Sequence, residues 1–140
     1  MTVKKKILVL CTGNSCRSQI AEGYLRYFAA NKADIYSAGV ETHGVNPRAI
    51  ATMLEDGIDI SSQRSKNVSE FEDTEFDFVI TVCDHANEVC PVFPGTAKKF
   101  HHNFPDPAKA TGSDEEINEA FRSVREQIKR YCKQFVEEYL

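Results

Sequence analysis

Two groups of residues in this sequence are of types that do chemistry. The first runs from Cys11 through Thr12, Gly13, Asn14, Ser15 and Cys16 to Arg17 and Ser18: a cysteine, five residues, an arginine and a serine. The second is Cys83 and Cys90, six residues lying between them, with Cys83 directly after the apolar run Val79-Ile80-Thr81-Val82. A thiolate is a far stronger nucleophile than a thiol, and a cation or a helix N-terminus lowers a cysteine pKa to ~3.5–7.5. A tight loop running into a helix supplies that field, because several backbone N–H groups converge and the helix dipole adds positive potential. Gly13 and Asn14 are the residue types that tolerate the backbone angles such a loop demands. The cradle from Thr12 to Cys16 suits a tetrahedral oxyanion, and Arg17 adds a planar fork for two of its oxygens. Ser18 is placed to donate to the Cys11 sulfur. Cys11 is therefore expected to be an ionised nucleophile beneath a bound anion.

The competing reading is a buried cysteine followed by a surface arginine, since Cys-x5-Arg alone recurs by chance. Its setting decides for the loop. The apolar stretch Lys6 to Leu10 reads as a strand, and Ser18 to Ala30 reads as a helix with Ile20, Tyr24, Leu25 and Phe28 on one side. Ligands of open parallel sheets bind beyond the carboxyl ends of strands, where Cys11 falls. Further strands are expected at Asp34 to Ala38, at Asp77 to Val82 and, more weakly, at Lys98 to His101. In the segment NPRAIATMLEDG, Asn46 is expected as an N-cap, Pro47 at the first helical position and Gly57 as the stop. The final helix runs from about Asp114 to Tyr139, with Ser113 and Glu116 as a capping box. Its stripe of Ile117, Phe121, Val124, Ile128, Tyr131 and Phe135 is core. Strands alternating with helices predict a single α/β domain over residues 1–140, with a four-stranded parallel sheet flanked by helices in three layers.

Composition narrows the partners. The chain has 140 residues, 27% of them charged, and a net charge of −4 with no basic block, which argues against nucleic acid and membrane surfaces. No apolar run approaches the ~20 residues of a membrane span. The apolar stretch after the N-terminal lysines is too short for a signal peptide, so the expected location is the cytoplasm. Five cysteines, an odd number at irregular spacings, form no secreted disulfide framework and point to catalysis, redox exchange or metal. Cys132 reads as a packed hydrophobe in the last helix. Cys16 reads as structural, and His43 and Asn46 as turn formers. Cys83, His85, Cys90, His101 and His102 offer zinc ligands at a spacing that fits no common structural site, and Cys83 and Cys90 as plain core residues are the other alternative.

Val9 to Gly23, VLCTGNSCRSQIAEG, resembles the phosphate-loop segment of low-molecular-weight tyrosine phosphatases and, more closely, that of thioredoxin-coupled arsenate reductases. The resemblance continues through YSAGVETHGVNPRA (Tyr36 to Ala49), GIDIS (Gly57 to Ser61), VITVCD (Val79 to Asp84) and FPDPA (Phe104 to Ala108). It implies a low-molecular-weight phosphatase-like fold, Cys11 as nucleophile, Arg17 as anion clamp and Asp106, stiffened by Pro107, as general acid. The bland reading of Asp106 is a turn residue. Phosphotyrosine enzymes of this type follow the Asp-Pro pair with pocket-lining tyrosines, where this chain has Ala108 and Lys109, so a small inorganic substrate is favoured.

For the reductases the resemblance implies a relay. Cys11 attacks arsenate, Cys83 attacks the Cys11 sulfur to release arsenite, Cys90 attacks Cys83, and reduced thioredoxin reopens the Cys83–Cys90 disulfide. The relay requires a mobile segment from Asp84 to Gly95. No tightly bound cofactor is expected; phosphate or sulfate would compete with arsenate, and the protein is expected to be a monomer. Some reductases of this group bind potassium beneath the loop, at positions that correspond to Asn14, Glu22 and Ser37. The usual aspartate is replaced here by Lys66, whose ammonium would stand in for the ion. The runner-up function is a phosphatase using Cys11, Arg17 and Asp106. A non-catalytic oxyanion-binding or redox-signalling module is the reading from another class, which the three catalytic residue types together disfavour.

Overall fold

The computed structural model describes residues 4–88, 90 and 93–140. Four strands, β1 (Lys5–Cys11), β2 (Ala33–Gly39), β3 (Phe78–Thr81) and β4 (Lys98–His101), form one parallel sheet in the order β2-β1-β3-β4. Four α-helices accompany them among the described residues: α1 (Arg17–Ala29), α2 (Pro47–Glu55), α3 (Asp84–Glu88) and α4 (Asp114–Tyr139). The chain leaves β1 for β2 on one side and later enters β3 on the other. The carboxyl end of β1 is thus the switch point at which open α/β sheets place their ligands.

Ile7, Leu8, Val9 and Leu10 have no exposed surface, as a strand covered on both faces requires. Register shows what covers each face. Ile7 pairs with Ile35 and Phe78, whereas Leu8 pairs with Tyr36 and Val79, so Phe78 and Tyr36 point to opposite sides. On one side Phe78 and Phe100 meet Phe135 and Tyr139 of α4, with ring centroids 4.8–5.8 Å apart. On the other, Tyr36 packs with Phe71 and Phe76, and Phe76 in turn with Phe93. The expected layered arrangement is therefore present. Each fully buried side chain of this size contributes about 1.5–3 kcal/mol.

The local signals match their elements. Asn46 caps α2 by accepting the Arg48 N–H, Pro47 is its first residue, and Gly57 takes φ +78° just past its end. The Ser113–Glu116 capping box opens α4. The α4 stripe is buried at Phe121, Val124, Ile128 and Phe135, joined by Cys132 and Val136, while Ile117 and Tyr131 are only half-buried. Cys132 is the packed hydrophobe expected: it is buried, with its sulfur 3.8 Å from the Ala21 carbonyl of α1.

Three differences bear on the site. β1 runs one residue further at each end than expected, which puts Cys11 in its last ladder position opposite Gly39. α1 starts at Arg17, one residue early. The segment after Cys83, expected to be a mobile loop, contains α3; positions 89, 91 and 92 of that stretch lie outside the described residues. No helix among the described residues is long and apolar enough to cross a membrane.

Candidate active site

The loop between β1 and α1 is shaped from outside. Six consecutive carbonyls are engaged on its outer surface: Cys11 by the Val40 N–H, Thr12 by Glu41, Gly13 by His43, Asn14 by the Gln19 side chain, Ser15 by Asn46 and Cys16 by Ile20, at 2.9–3.3 Å. Turning the carbonyls outward turns the amides inward. Among the described residues, the N–H groups of residues 13–17 find no protein acceptor. They form the converging donor set that an oxyanion needs.

Asn14 holds the tightest bend, at φ +49°, and is completely buried. Its side chain earns this conformation with four hydrogen bonds. Nδ2 donates to Ser18 Oγ and Ser37 Oγ at 2.8 and 2.9 Å, and Oδ1 accepts from Gln19 Nε2 and the Lys66 N–H at 3.0 and 2.8 Å. Gly39 is required for a different reason: a Cβ there would stand 2.5 Å from the Glu41 carbonyl and 2.7 Å from both the Asn14 nitrogen and the Thr12 carbonyl.

Cys11 and Cys83 are both buried and interact directly. The hydrogen bond from Cys11 is the largest influence lowering the Cys83 pKa, which is pushed down to about 5, with Thr12, the Ala86 N–H and Arg17 assisting. Thr12 Oγ1 lies 3.2 Å from the Cys83 sulfur. The same hydrogen bond between the two sulfurs, followed by burial, pushes Cys11 up, against the lowering effect of Arg17. The two thiols therefore titrate as one pair, which Arg17 favours in a singly charged form. The expected Ser18–Cys11 hydrogen bond is replaced. Ser18 Oγ accepts from Asn14, and the Thr12 N–H donates to Cys11. Cys16 is buried and pushed up to about 11, by desolvation first and by the Asp106 carboxylate second, as suits a structural thiol. Cys90 is half-buried and its pKa is raised by that burial.

Arg17 reaches over the loop. Its Nη1 donates to the Phe104 carbonyl at 3.0 Å and Nη2 stands 3.6 Å from Asp106 Oδ2, with both side chains mostly shielded. Asp106 combines the two readings proposed for it. Oδ1 accepts the Ala108 N–H at 3.0 Å, capping a single 3-10 turn over Pro107–Lys109, while Oδ2 faces the guanidinium. Together they close a pocket of about 290 Å³ over Cys11, whose rim is His43, Ala108 and Lys109. No aromatic ring of a Phe, Tyr or Trp lines it. A larger depression of about 470 Å³ lies by Lys4, Arg26 and Asp34, near the opposite ends of the strands, and holds no nucleophile.

Two of the three histidines offered as zinc ligands, His101 and His102, are engaged otherwise. His101 bonds to Thr81 and Asp84, and His102 stacks on Phe104 and Tyr131. Beneath the loop, Ser37 Oγ donates to Glu22 Oε1 at 2.6 Å, and Lys66 Nζ stands 3.6 Å from that oxygen while donating to the Arg64 carbonyl at 2.6 Å. Burial lowers the Lys66 pKa, and Glu22 opposes the shift. With Asn14 directing its NH₂ toward Ser37 and an ammonium already beside Glu22, these groups do not fit a bound potassium ion.

Residues 6–139 match the low molecular weight phosphotyrosine protein phosphatase family. The chain belongs to this family. Among its relatives is an arsenate reductase of Halalkalibacterium halodurans, 49% identical over 134 residues that cover 96% of each chain. An arsenate reductase solved in the phosphate binding state has a TM-score of 0.79 at 34% identity, covering 97% of this chain and 99% of its own. The tyrosine phosphatase Wzb of Escherichia coli K30, solved in complex with sulphate, has a TM-score of 0.78 at 27% identity, covering 97% and 99%. Two groups of this family, reductases and phosphatases, therefore share the fold.

Several supports of this family's loop are not evident from the sequence alone. Gln19 bonds to Asn14 and Arg64 and accepts from Gln63, and residues 40–46 form the wall that orients the loop carbonyls. The local signal is that a glycine, Gly39, ends the second predicted strand.

Proposed function

We propose that this protein reduces arsenate to arsenite in the cytoplasm, as a monomer, with reduced thioredoxin as the external dithiol. The observation that carries the reading is the hydrogen bond between Cys83 and Cys11, the latter lining an aryl-free pocket, with Thr12 of the same loop against the Cys83 sulfur. A phosphatase of this architecture has no use for a second low-pKa sulfur touching its nucleophile. The relatives called arsenate reductases support the same reading.

The reaction balances as follows. Arsenate settles on the amides of residues 13–17 and Arg17. The shared proton passes from Cys11 to Cys83, and the Cys11 thiolate attacks arsenic while Asp106 protonates the departing oxygen, which leaves as water. Cys83, deprotonated again, attacks the Cys11 sulfur. The S–S bond forms, the S–As bond breaks, and its electron pair stays on arsenic, which leaves as arsenite. Arsenate and two thiols thus become arsenite, a disulfide and water. Cys90 then displaces Cys11 from Cys83, and thioredoxin reduces the Cys83–Cys90 bond. Lys66 supplies beside Glu22 the positive charge that other members of the group take from potassium, so activity is independent of that ion.

The test is NADPH consumption with arsenate, thioredoxin and thioredoxin reductase for the wild type, Cys83→Ser and Cys90→Ser. Both variants should lose multiple turnover; unchanged consumption would overturn the relay. Hydrolysis of an aryl phosphate is the second reading, favoured by the fold shared with the sulphate-bound phosphatase. It should be slow here and persist in Cys83→Ser.

A further inference from the structure

Lys109 is the last residue of the turn that Asp106 opens. The Asp106 carbonyl accepts the Lys109 N–H at 3.2 Å, its Oδ1 accepts the Ala108 N–H at 3.0 Å, and the Pro107 carbonyl accepts the Ala110 N–H at 3.1 Å. With Pro107 buried, the turn fixes the Asp106 carboxylate and Lys109 to one short segment. Lys109 lines the pocket over Cys11 together with Arg17 and His43, and it is exposed at the mouth.

The charges around that pocket do not favour an anion by themselves. Arg17 is positive, whereas Asp106 and the singly charged pair of Cys11 and Cys83 are negative. The chain as a whole carries a net charge of −4. An entering oxyanion is repelled unless a further cation offsets this excess. The other cations nearby are committed. Arg48, in the adjoining depression that shares Ala108, is held by Asn118 at 2.7 Å and Asp114 at 2.9 Å. His43 Nε2 lies 2.8 Å from Glu41 Oε2, so a proton on that ring only offsets the Glu41 charge. Among the described residues, Lys109 alone of the cations lining the pocket has no carboxylate partner.

We propose that Lys109 is a substrate-binding residue, which draws small tetrahedral anions into the pocket and passes them to Arg17 and the loop amides. This deepens the reductase reading and rests on it for the identity of the substrate. No bond forms or breaks at Lys109. Its charge separates substrate from product, because arsenate is an anion at neutral pH whereas arsenous acid is uncharged and is not held. The turn thus delivers the carboxylate and the capturing cation to the same opening.

Inorganic phosphate is the probe, since its binding is read without the relay. By calorimetric titration at about 10 mM salt, phosphate affinity should fall about fivefold in Lys109→Ala. It should fall further in Lys109→Glu and stay near wild type in Lys109→Arg. The gap between wild type and Lys109→Ala should close near 1 M salt, where the screening length is only ~3 Å. In arsenate reduction at low salt, Lys109→Ala should raise KM about fivefold and leave kcat nearly unchanged. Equal phosphate affinity in wild type and Lys109→Ala at low salt would overturn the role of Lys109 and leave the relay intact. A loss that high salt does not remove would do the same, since it would come from a disturbed turn. A wild type that reduces no arsenate, while Lys109→Ala shows the salt-sensitive loss of phosphate, would overturn the reductase reading and keep Lys109 as an anion-binding residue.

Discussion

Thr12 Oγ1 lies 3.2 Å from the sulfur of Cys83, so a side chain of the oxyanion loop touches a thiol delivered by a neighbouring strand. The contact joins the nucleophile's loop to the second sulfur of the proposed relay. A hydrogen bond to a charged group contributes about 1.5–3 kcal/mol. Thr12→Val should therefore slow multiple-turnover arsenate reduction by about tenfold at neutral pH. The pH dependence carries the sign. Cys83 is lowered from 9.0 to about 5, so it is ionised above that value and protonated below. Alkylation of Cys83 by iodoacetamide should fall as pH drops through about 5 in wild type, and the fall should move to higher pH in Thr12→Val. Identical profiles would show that the hydroxyl does nothing for the sulfur.

Asp106 faces Arg17 from 3.6 Å while it caps the turn behind it. Asp106→Asn keeps the cap's acceptor oxygen and removes the acid. The expected loss in kcat is about 10²- to 10⁴-fold, with phosphate inhibition of the residual activity little changed. A variant that also loses phosphate binding would make Asp106 an organiser of the loop instead of a proton donor.

Lys66 and Glu22 form a shielded ion pair directly beneath Asn14. Wild-type rates should be the same in sodium and potassium buffers, and a large potassium stimulation would defeat this. Lys66→Ala leaves Glu22 with Arg26 as its remaining cation, at 3.0 Å. Breaking a buried pair costs about 3–5 kcal/mol, and the remaining arginine should hold the loss near the lower end. Denaturant melts of that variant should show partial recovery in potassium but not in sodium.

Gly39 has backbone atoms on three sides. In Gly39→Ala the methyl group would meet carbonyl oxygens and an amide nitrogen, none of which can rotate away. A destabilisation of about 2–4 kcal/mol is expected, with phosphate binding lost even where the sheet survives. Calorimetric titration with phosphate checks it.

Tyr24 is buried, and its hydroxyl donates to Asp56 Oδ2 at 2.7 Å, an oxygen that Lys129 Nζ also reaches at 2.8 Å. The Lys129 hydrogen bond, then the Tyr24 one, lowers the Asp56 pKa. A carboxylate lowered on folding stabilises the protein at pH above its unfolded pKa, and that contribution disappears as pH falls through the folded value. Tyr24→Phe should cost about 1.5 kcal/mol at neutral pH, and the difference from wild type should shrink in acid. A constant difference across that range would assign the loss to packing.

What the sequence discloses here depends on how far apart the cooperating residues are. The strands, the caps of α2 and α4 and the Cys11–Arg17 loop are legible because each depends on neighbours a few positions away. α3 is not, since Asp84 to Glu88 has no apolar stripe and is held by Asn103 and His101, far along the chain. The same holds for Gln19 and Gly39, whose work is done through Asn14 and residues 40–46. The pairing of Cys11 with Cys83 is hidden for a related reason. A loop read by itself contains one thiol that matters, and β3 brings a second against it.

The outer bonding of the loop carbonyls has a consequence for selectivity. With the carbonyls of residues 11–16 already anchored, the ring of amides is set before any anion arrives, and binding orders almost nothing. So stiff a mould has little means of sorting tetrahedral anions of nearly the same size, and in the proposed reaction phosphate is expected to compete with arsenate for it. Discrimination in the proposed reaction is then a property of the central atom. Phosphorus, once attacked, can only be hydrolysed or released, whereas arsenic can take an electron pair from sulfur, so the choice is made by Cys83 after both anions have been admitted.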